Sequence, residues 1–248
     1  MNFKDCIDSY PFILMEGALG ERLKREFDLD ISGTVAMADL IYQQKGRMAL
    51  KTLWNEYMDI AHRYQLPFLA TTPTRRANKE RVYMAGYNES IITDNVDFLR
   101  TIKETANVNM YIGGLMGCKG DAYTSERALN QEEAIAFHSW QASLFKSVGV
   151  DFLYAGIMPV LSEAIGMAVA MSDTDILSFT IQRNGKLIDG HTINDAIYYI
   201  DNHVSNKPVC YMTNCVHPDI VYEALSHKFN QTQMVKNRFW GIQANTSR

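Results

Sequence analysis

Seven apolar, β-prone segments alternate with helical stretches along 248 residues, and glycine or polar clusters follow the strands. Regular βα alternation of this kind predicts an α/β fold with a parallel sheet, and the length suits a single-domain barrel. The architecture expected is a (β/α)8 barrel of the TIM type, one domain over residues 1–248, with about seven βα units present. The polar clusters put the working face at the carboxyl ends of the strands, where such folds keep their chemistry.

The first strand, Phe12–Met15, runs into Glu16-Gly17-Ala18-Leu19-Gly20, a tight strand-to-helix turn. GALG is not the GxGxxG of dinucleotide binders, so no nucleotide site is assigned. Glu16, at the strand's carboxyl end, reads either as a working carboxylate or as a solvated loop residue. Leu50, Leu53, Trp54, Tyr57, Ala61 and Tyr64 recur at helical spacing and predict a core-facing helix over 46–65. The second strand, Leu66–Ala70, ends in Thr71-Thr72-Pro73-Thr74-Arg75-Arg76. Hydroxyls and guanidinium groups there could grip a carboxylate or phosphate, or form a salt-bridged corner. A helix follows at Val96–Ile102, then the third strand at Met110–Gly113.

That strand empties into a glycine-rich run over 113–121, which implies positive φ or close approach of another group to the main chain. The order Lys119-Gly120-Asp121 does not suit a phosphate-cradling P-loop. Asn130 and Glu133 form a capping box for the next helix. Phe137, Trp140, Leu144 and Val148 are its expected buried stripe, with His138 and Gln141 on a neighbouring face in structural roles. A turn at 149–156 opens the fourth strand, Leu161–Met171 is helical, and Ile176–Ile181 is the fifth strand. Ile193, Ala196, Ile197, Ile200 and Val204 mark another helix. After the sixth strand come a helix over Pro218–Leu225, a polar stretch KFNQTQ and a last strand, Phe239–Ala244.

Composition narrows the function classes. A net charge of -4 gives no electrostatic case for nucleic acid or an anionic membrane. No stretch approaches the ~20 apolar residues of a membrane span, and the amino terminus lacks an apolar run of signal length. Cys6, Cys118, Cys210 and Cys215 form no CxxC pair, so a disulfide framework is not expected and the cytoplasm is the default compartment.

The sixth strand carries the sharpest chemical signal. Val209–Met212 leads into Thr213-Asn214-Cys215, and Pro218 with Asp219 then opens a helix. A thiol at a strand's carboxyl mouth suits a metal ligand or a nucleophile, either of which needs the thiolate. A small buried apolar residue is the alternative.

Taken together, LMEGALGERL, ATTPTRRAN, GGLMGCKGDAYT, FHSWQASLFKSVGVDFLYAG, SFTIQRNGKLIDG, MTNCVHPDIVYEAL and GIQANTS occur in the order of, and resemble, the homocysteine S-methyltransferase family. The resemblance implies a barrel that moves a methyl group from a small-molecule donor to a zinc-activated thiol acceptor. It places a zinc ligand at Cys215 and substrate-binding groups at Glu16, Gly17, Thr72, Arg75 and Asn214, with no catalytic residue assigned. Zinc would bind the acceptor sulfur at an open position and favour its deprotonation.

Three departures shape the expectation. The family's other two zinc cysteines stand in a Gly-Gly-Cys-Cys run that this sequence lacks, so this form is expected to be inactive, with an open sheet edge that favours a homodimer. Cys118 and His217 are the side chains that could supplement Cys215. Ala155-Gly156 replaces the Glu-Thr that usually ends the fourth strand, and Pro73 and Arg75 alter the second-strand corner, which together imply a more anionic acceptor than homocysteine. The alternative function is a non-catalytic small-molecule-binding barrel without the metal.

Overall fold

Parallel strands are covered on both faces and so read as nearly continuous apolar runs, and β2, β4 and β5 of this chain are buried along their whole length. The computed structural model describes residues 1–172 and 175–245. Among them are seven strands: β1 (Leu14–Met15), β2 (Phe68–Thr71), β3 (Met110–Gly117), β4 (Phe152–Met158), β5 (Asp175–Phe179), β6 (Cys210–Val216) and β7 (Phe239–Ala244). The helices are α1 (Phe3–Ser9), α2 (Leu19–Phe27), α3 (Gln44–Arg63), α4 (Lys79–Met84), α5 (Ser90–Lys103), α6 (Gln131–Val148), α7 (Leu161–Met171), α8 (Ile193–His203), α9 (Pro218–Ser226) and α10 (Gln233–Arg238). No described helix is long and apolar enough to cross a membrane. Thr246 and Ser247, at the end of the GIQANTS motif, lie outside the described residues.

The chain divides into two compact units, one of Met1–Leu115 with Ser143–Phe152 and one of Met116–Ala142 with Leu153–Arg248. In the first unit β1, β2 and β3 pair in parallel and in chain order. Helix α3 buries Leu50, Leu53, Trp54 and Ala61 as its spacing predicts. Tyr64 is exposed instead, because the helix stops at Arg63 and Gln65 turns into the left-handed region. Asp151 closes the bottom of this unit. Its carboxylate accepts the Ile112 N–H at 2.7 Å and an ion pair from Lys103 at 3.0 Å.

The glycine run behaves differently from a loop. Strand β3 continues past the expected end at Gly113 through Gly117, so Gly114 and Gly117 are strand residues rather than part of the loop that the sequence suggests. Neither Gly113 nor Gly114 has positive φ; the other expectation, close approach, is the one realised. A Cβ on Gly113 would stand 2.4 Å from the Phe152 ring, and one on Gly114 would stand 2.6 Å from Phe145. The glycines let two aromatic rings pack directly on backbone.

In the second unit β4, β5, β6 and β7 pair in parallel, again in chain order. Helix α7 and strand β7 have the limits that their sequences predict. Asn130 and Glu133 make the capping box of α6, with bonds of 3.0 and 3.1 Å. The buried face of α6 is not the predicted one. Ala134, His138, Gln141, Ala142 and Phe145 are buried, while Phe137, Trp140, Leu144 and Val148 are only half-buried. A carboxylate on α7 draws His138 inward. Helix α10, which begins at the end of the polar stretch KFNQTQ and is not among the elements expected from the sequence, starts at a cap where Thr232 accepts the Val235 N–H.

Gly114→Ala should lower stability by about 1–3 kcal/mol through overpacking against Phe145. The readout is the urea midpoint at constant m-value; an unchanged midpoint would mean that the ring moves aside without cost.

Candidate active site

The candidate residues stand at strand carboxyl ends, with one corner in each compact unit. In the first unit Glu16 follows β1 directly. It is 4% exposed, not a solvated loop carboxylate, and its Oε1 accepts from the Thr71 N–H at 2.8 Å and the Thr71 hydroxyl at 2.5 Å. Burial pushes its pKa from 4.5 up to about 7, against the pull of those two hydrogen bonds. Glu16 can therefore exist as acid or carboxylate near neutral pH.

The turn after Glu16 puts its left-handed residue at Ala18, with φ 52°, and not at a glycine. Gly17 lends its carbonyl to the Tyr57 hydroxyl, and apart from its chain neighbours Glu16 and Ala18 no residue comes within 4 Å of where its Cβ would be. That gap leaves room for a ligand beside the carboxylate. On the β2 corner Thr72 is fully buried; its hydroxyl bonds Thr74 at 2.7 Å and accepts the Leu115 N–H at 3.1 Å. Its hydroxyl therefore serves to tie the β2 corner to β3. Arg75 is half-buried in the turn that follows.

In the second unit Asn214 is the centre of a knot. Its Oδ1 accepts from the Ile157 N–H at 3.0 Å and the Ser178 hydroxyl at 2.6 Å, and its Nδ2 faces the Cys215 Sγ at 3.9 Å. Both Ile157 and Cys215 are left-handed, with φ of 60° and 58°. For a β-branched isoleucine this is a strained backbone, of the kind that surrounding bonds must hold in place. Both residues sit where the strand register shifts, between Ala155 and Met158 on β4 and between Asn214 and Val216 on β6. The shifts act as bulges that re-aim a side chain at a strand end. Asn245 adds a 2.7 Å bond to the Cys215 carbonyl. Sequence reasoning singled out Asn214 and Cys215 and missed Ile157 and Ser178, which carry no motif of their own.

The thiols on β6 differ in kind. Cys210 is buried, and desolvation pushes its pKa up to about 12, so it stays a thiol. Cys215 is half-buried at the open end of the strand. The side chains considered as its companions have other work. His217 caps α9, its Nδ1 accepting the Asp219 N–H at 3.1 Å, and the Cys118 Sγ lies 3.6 Å from the Gly120 carbonyl. Among the described residues no three His, Cys, Asp or Glu side chains gather as a metal-binding group. A zinc site of the kind that needs three protein ligands is therefore not met by these residues.

Two substitutions probe the corners. Between pH 4.5 and about 7 the unfolded chain has released the Glu16 proton that the folded chain keeps. This group's effect on stability is then a loss as pH rises through that window, complete above it. Glu16→Gln cannot ionise, so between pH 5 and pH 8 it should gain on the parent chain by up to about 3 kcal/mol. Parallel pH–stability curves for the two proteins would sink the assignment. Asn214→Ala strips the acceptor from a buried N–H and a buried hydroxyl and should cost about 2–4 kcal/mol in denaturant unfolding; a loss below about 1 kcal/mol would mean that Ile157 does not depend on this bond.

Comparison with known proteins covers nearly the whole chain. A family model described as homocysteine S-methyltransferase matches residues 13–247. A search of curated proteins finds no significant match. Among solved structures, the metallated form of the homocysteine methyltransferase MmuM from Escherichia coli superposes with a TM-score of 0.77 at 18% identity, over 98% of this chain and 95% of that one. The oxidised form of the same enzyme gives 0.78 at 17% identity and the apo form 0.66 at 17%, with the same coverage. The shared fold is an α/β barrel of the TIM type.

Proposed function

Since the chain belongs to the homocysteine S-methyltransferase family, we propose that it moves a methyl group from a small-molecule donor to the thiol of an amino acid such as homocysteine, or of a related, more anionic thiol. The observation that carries this reading is the family match over residues 13–247, which contains both the Glu16 and the Cys215 corners.

In this reading the ionised Glu16 carboxylate holds the acceptor's ammonium group, in the open space beside Gly17. Arg75 meets an acceptor carboxylate, to which a guanidinium can bond bidentately. Ala155 and Gly156, which lie within β4, offer no carboxylate for this contact. The acceptor thiol gives up its proton, its sulfur attacks the methyl carbon, and the carbon–donor bond breaks as the carbon–sulfur bond forms. Thiolate formation is the step that needs assistance, because a free thiol is only slightly ionised at neutral pH.

Zinc is the assistant that the resemblance implies, with Cys215 as a ligand. Among the described residues no three His, Cys, Asp or Glu side chains gather as a metal-binding group, so Cys215 is not part of a complete three-ligand site there. The same observation favours a second reading, a barrel that binds the thiol compound without transferring a methyl group. The four free cysteines are in keeping with a reducing cytoplasm for either.

Methyl transfer to homocysteine, assayed with sulfonium donors alongside zinc content per chain, separates the two. Activity with bound zinc supports the transferase. Tight homocysteine binding without turnover, with or without added zinc, supports the binding barrel. Acceptor affinity should rise with pH through about 7 as Glu16 ionises. Glu16→Gln should flatten that rise and weaken binding roughly tenfold to hundredfold, as expected for losing a charge-assisted hydrogen bond.

A further inference from the structure

The second unit contains a buried acidic group that the proposed reaction does not use. Glu163, in the first turn of α7, is 0% exposed, and His138 beside it is 1% exposed. A carboxylate sealed from water is costly unless its lone pairs are filled. Here three donors fill them. The Lys119 N–H donates at 2.7 Å and the His138 Nε2 lies at 3.0 Å, both at Oε1, while the Leu129 N–H reaches Oε2 at 3.3 Å.

Lys119 and Leu129 stand one residue in from either end of the loop between β3 and α6, so one carboxylate staples both ends. The neighbouring Ser162 hydroxyl adds a 2.9 Å bond to the Leu129 carbonyl. Inside the staple the loop is under tension. Ser125 and Arg127 have φ of 58° and 61°, and a Cβ on Gly120 would fall 1.9 Å from the Glu126 carbonyl. Asp121 folds the loop on itself, its Oδ1 accepting the Tyr123 and Thr124 N–H groups at 2.7 and 3.0 Å. A loop with two strained residues keeps one shape only if its ends are fixed. An apolar side chain at 163 could fill the same space but could not bond either end.

We propose that Glu163 is a positioning residue, which with His138 locks the Lys119–Leu129 loop into one conformation at the carboxyl end of β3, and that the locked loop helps hold the thiol acceptor. The second half rests on the methyltransferase reading. Loops at strand carboxyl ends are where this fold class builds its binding sites. The lock therefore belongs to binding rather than to the chemical step.

Amide hydrogen exchange and steady-state kinetics on Glu163→Gln test the two halves separately. Glutamine keeps one acceptor and places an N–H donor against the other stapled amide. Exchange at Lys119 or Leu129 should quicken by about tenfold or more while the amides of β5 and β6 hold their parent rates. With homocysteine as the acceptor, KM should rise roughly threefold to tenfold with kcat within about twofold. His138→Ala, which removes a single donor, should give a smaller change of the same kind and serves if the glutamine variant does not fold. Loop exchange unchanged in a folded variant overturns the lock. A loosened loop with KM unchanged overturns its part in acceptor binding. A parent chain that transfers no methyl group removes the reaction instead, and exchange alone then decides the lock.

Discussion

Main-chain N–H groups buried near strand ends must find acceptors, and this chain meets that constraint repeatedly with side chains rather than with sheet ladders. Glu16 serves Thr71, Asp151 serves Ile112, Glu163 serves Lys119 and Leu129, Asp189 serves Leu161, and Asn214 serves Ile157. In each case the acceptor belongs to a different element from the amide it satisfies. The bonds therefore fix where one βα unit ends relative to a neighbour within the same compact unit. Glu16, Glu163 and Asn214 are buried, and such groups are costly to desolvate, so they are tolerated where several donors converge. The candidate corners at Glu16 and Asn214 are built from the same bonds.

The constraint also sorts the polar residues by what is left for them to do. Thr72 and Thr74 are occupied with each other and with Leu115, so the hydroxyls of the second corner hold structure. Glu16 is different because its proton affinity has been brought near neutrality by burial. A carboxylate poised at that value gains most from an incoming ammonium group, whose charge favours the ionised form. On β6 the same physics separates two cysteines five residues apart. The deeper one is kept as a thiol, and the one at the strand mouth stands half-open in a bulge.

Most of the fold was legible because periodicity reports burial directly. The seven strands, the limits of α7 and β7, the capping box at Asn130 and the proline-led start of α9 all follow from local pattern. The misreadings share a cause. The glycine run that begins at 113 looks like a loop, yet Gly113 and Gly114 mark where Phe152 and Phe145 press on a strand, and those rings are distant in sequence. His138 looks like a bystander beside an aromatic stripe, but Glu163, 25 residues later, pulls that face of α6 inward. Of the candidate site, Glu16, Asn214 and Cys215 stand out in the sequence because each follows an expected strand at a recognisable corner. Ile157 and Ser178 do not, since their importance is the bond each makes to Asn214.

Strain at the Asn214 corner bears on what a single thiol can accomplish. Cys215 is left-handed, sits at a register shift and has its carbonyl tied to Asn245, so its side-chain direction is set by backbone geometry rather than by packing alone. Ile157 is held in an unfavourable conformation by the amide that also faces the thiol. Strain of this kind persists only where the surroundings over-determine it, and it concentrates at binding sites. A cysteine kept only as a small core residue needs none of it, since an ordinary extended strand would bury the side chain at lower cost. The backbone is arranged to present this sulfur at the end of β6. The chain thus retains a directed thiol corner even though its described residues gather no set of three metal ligands around it.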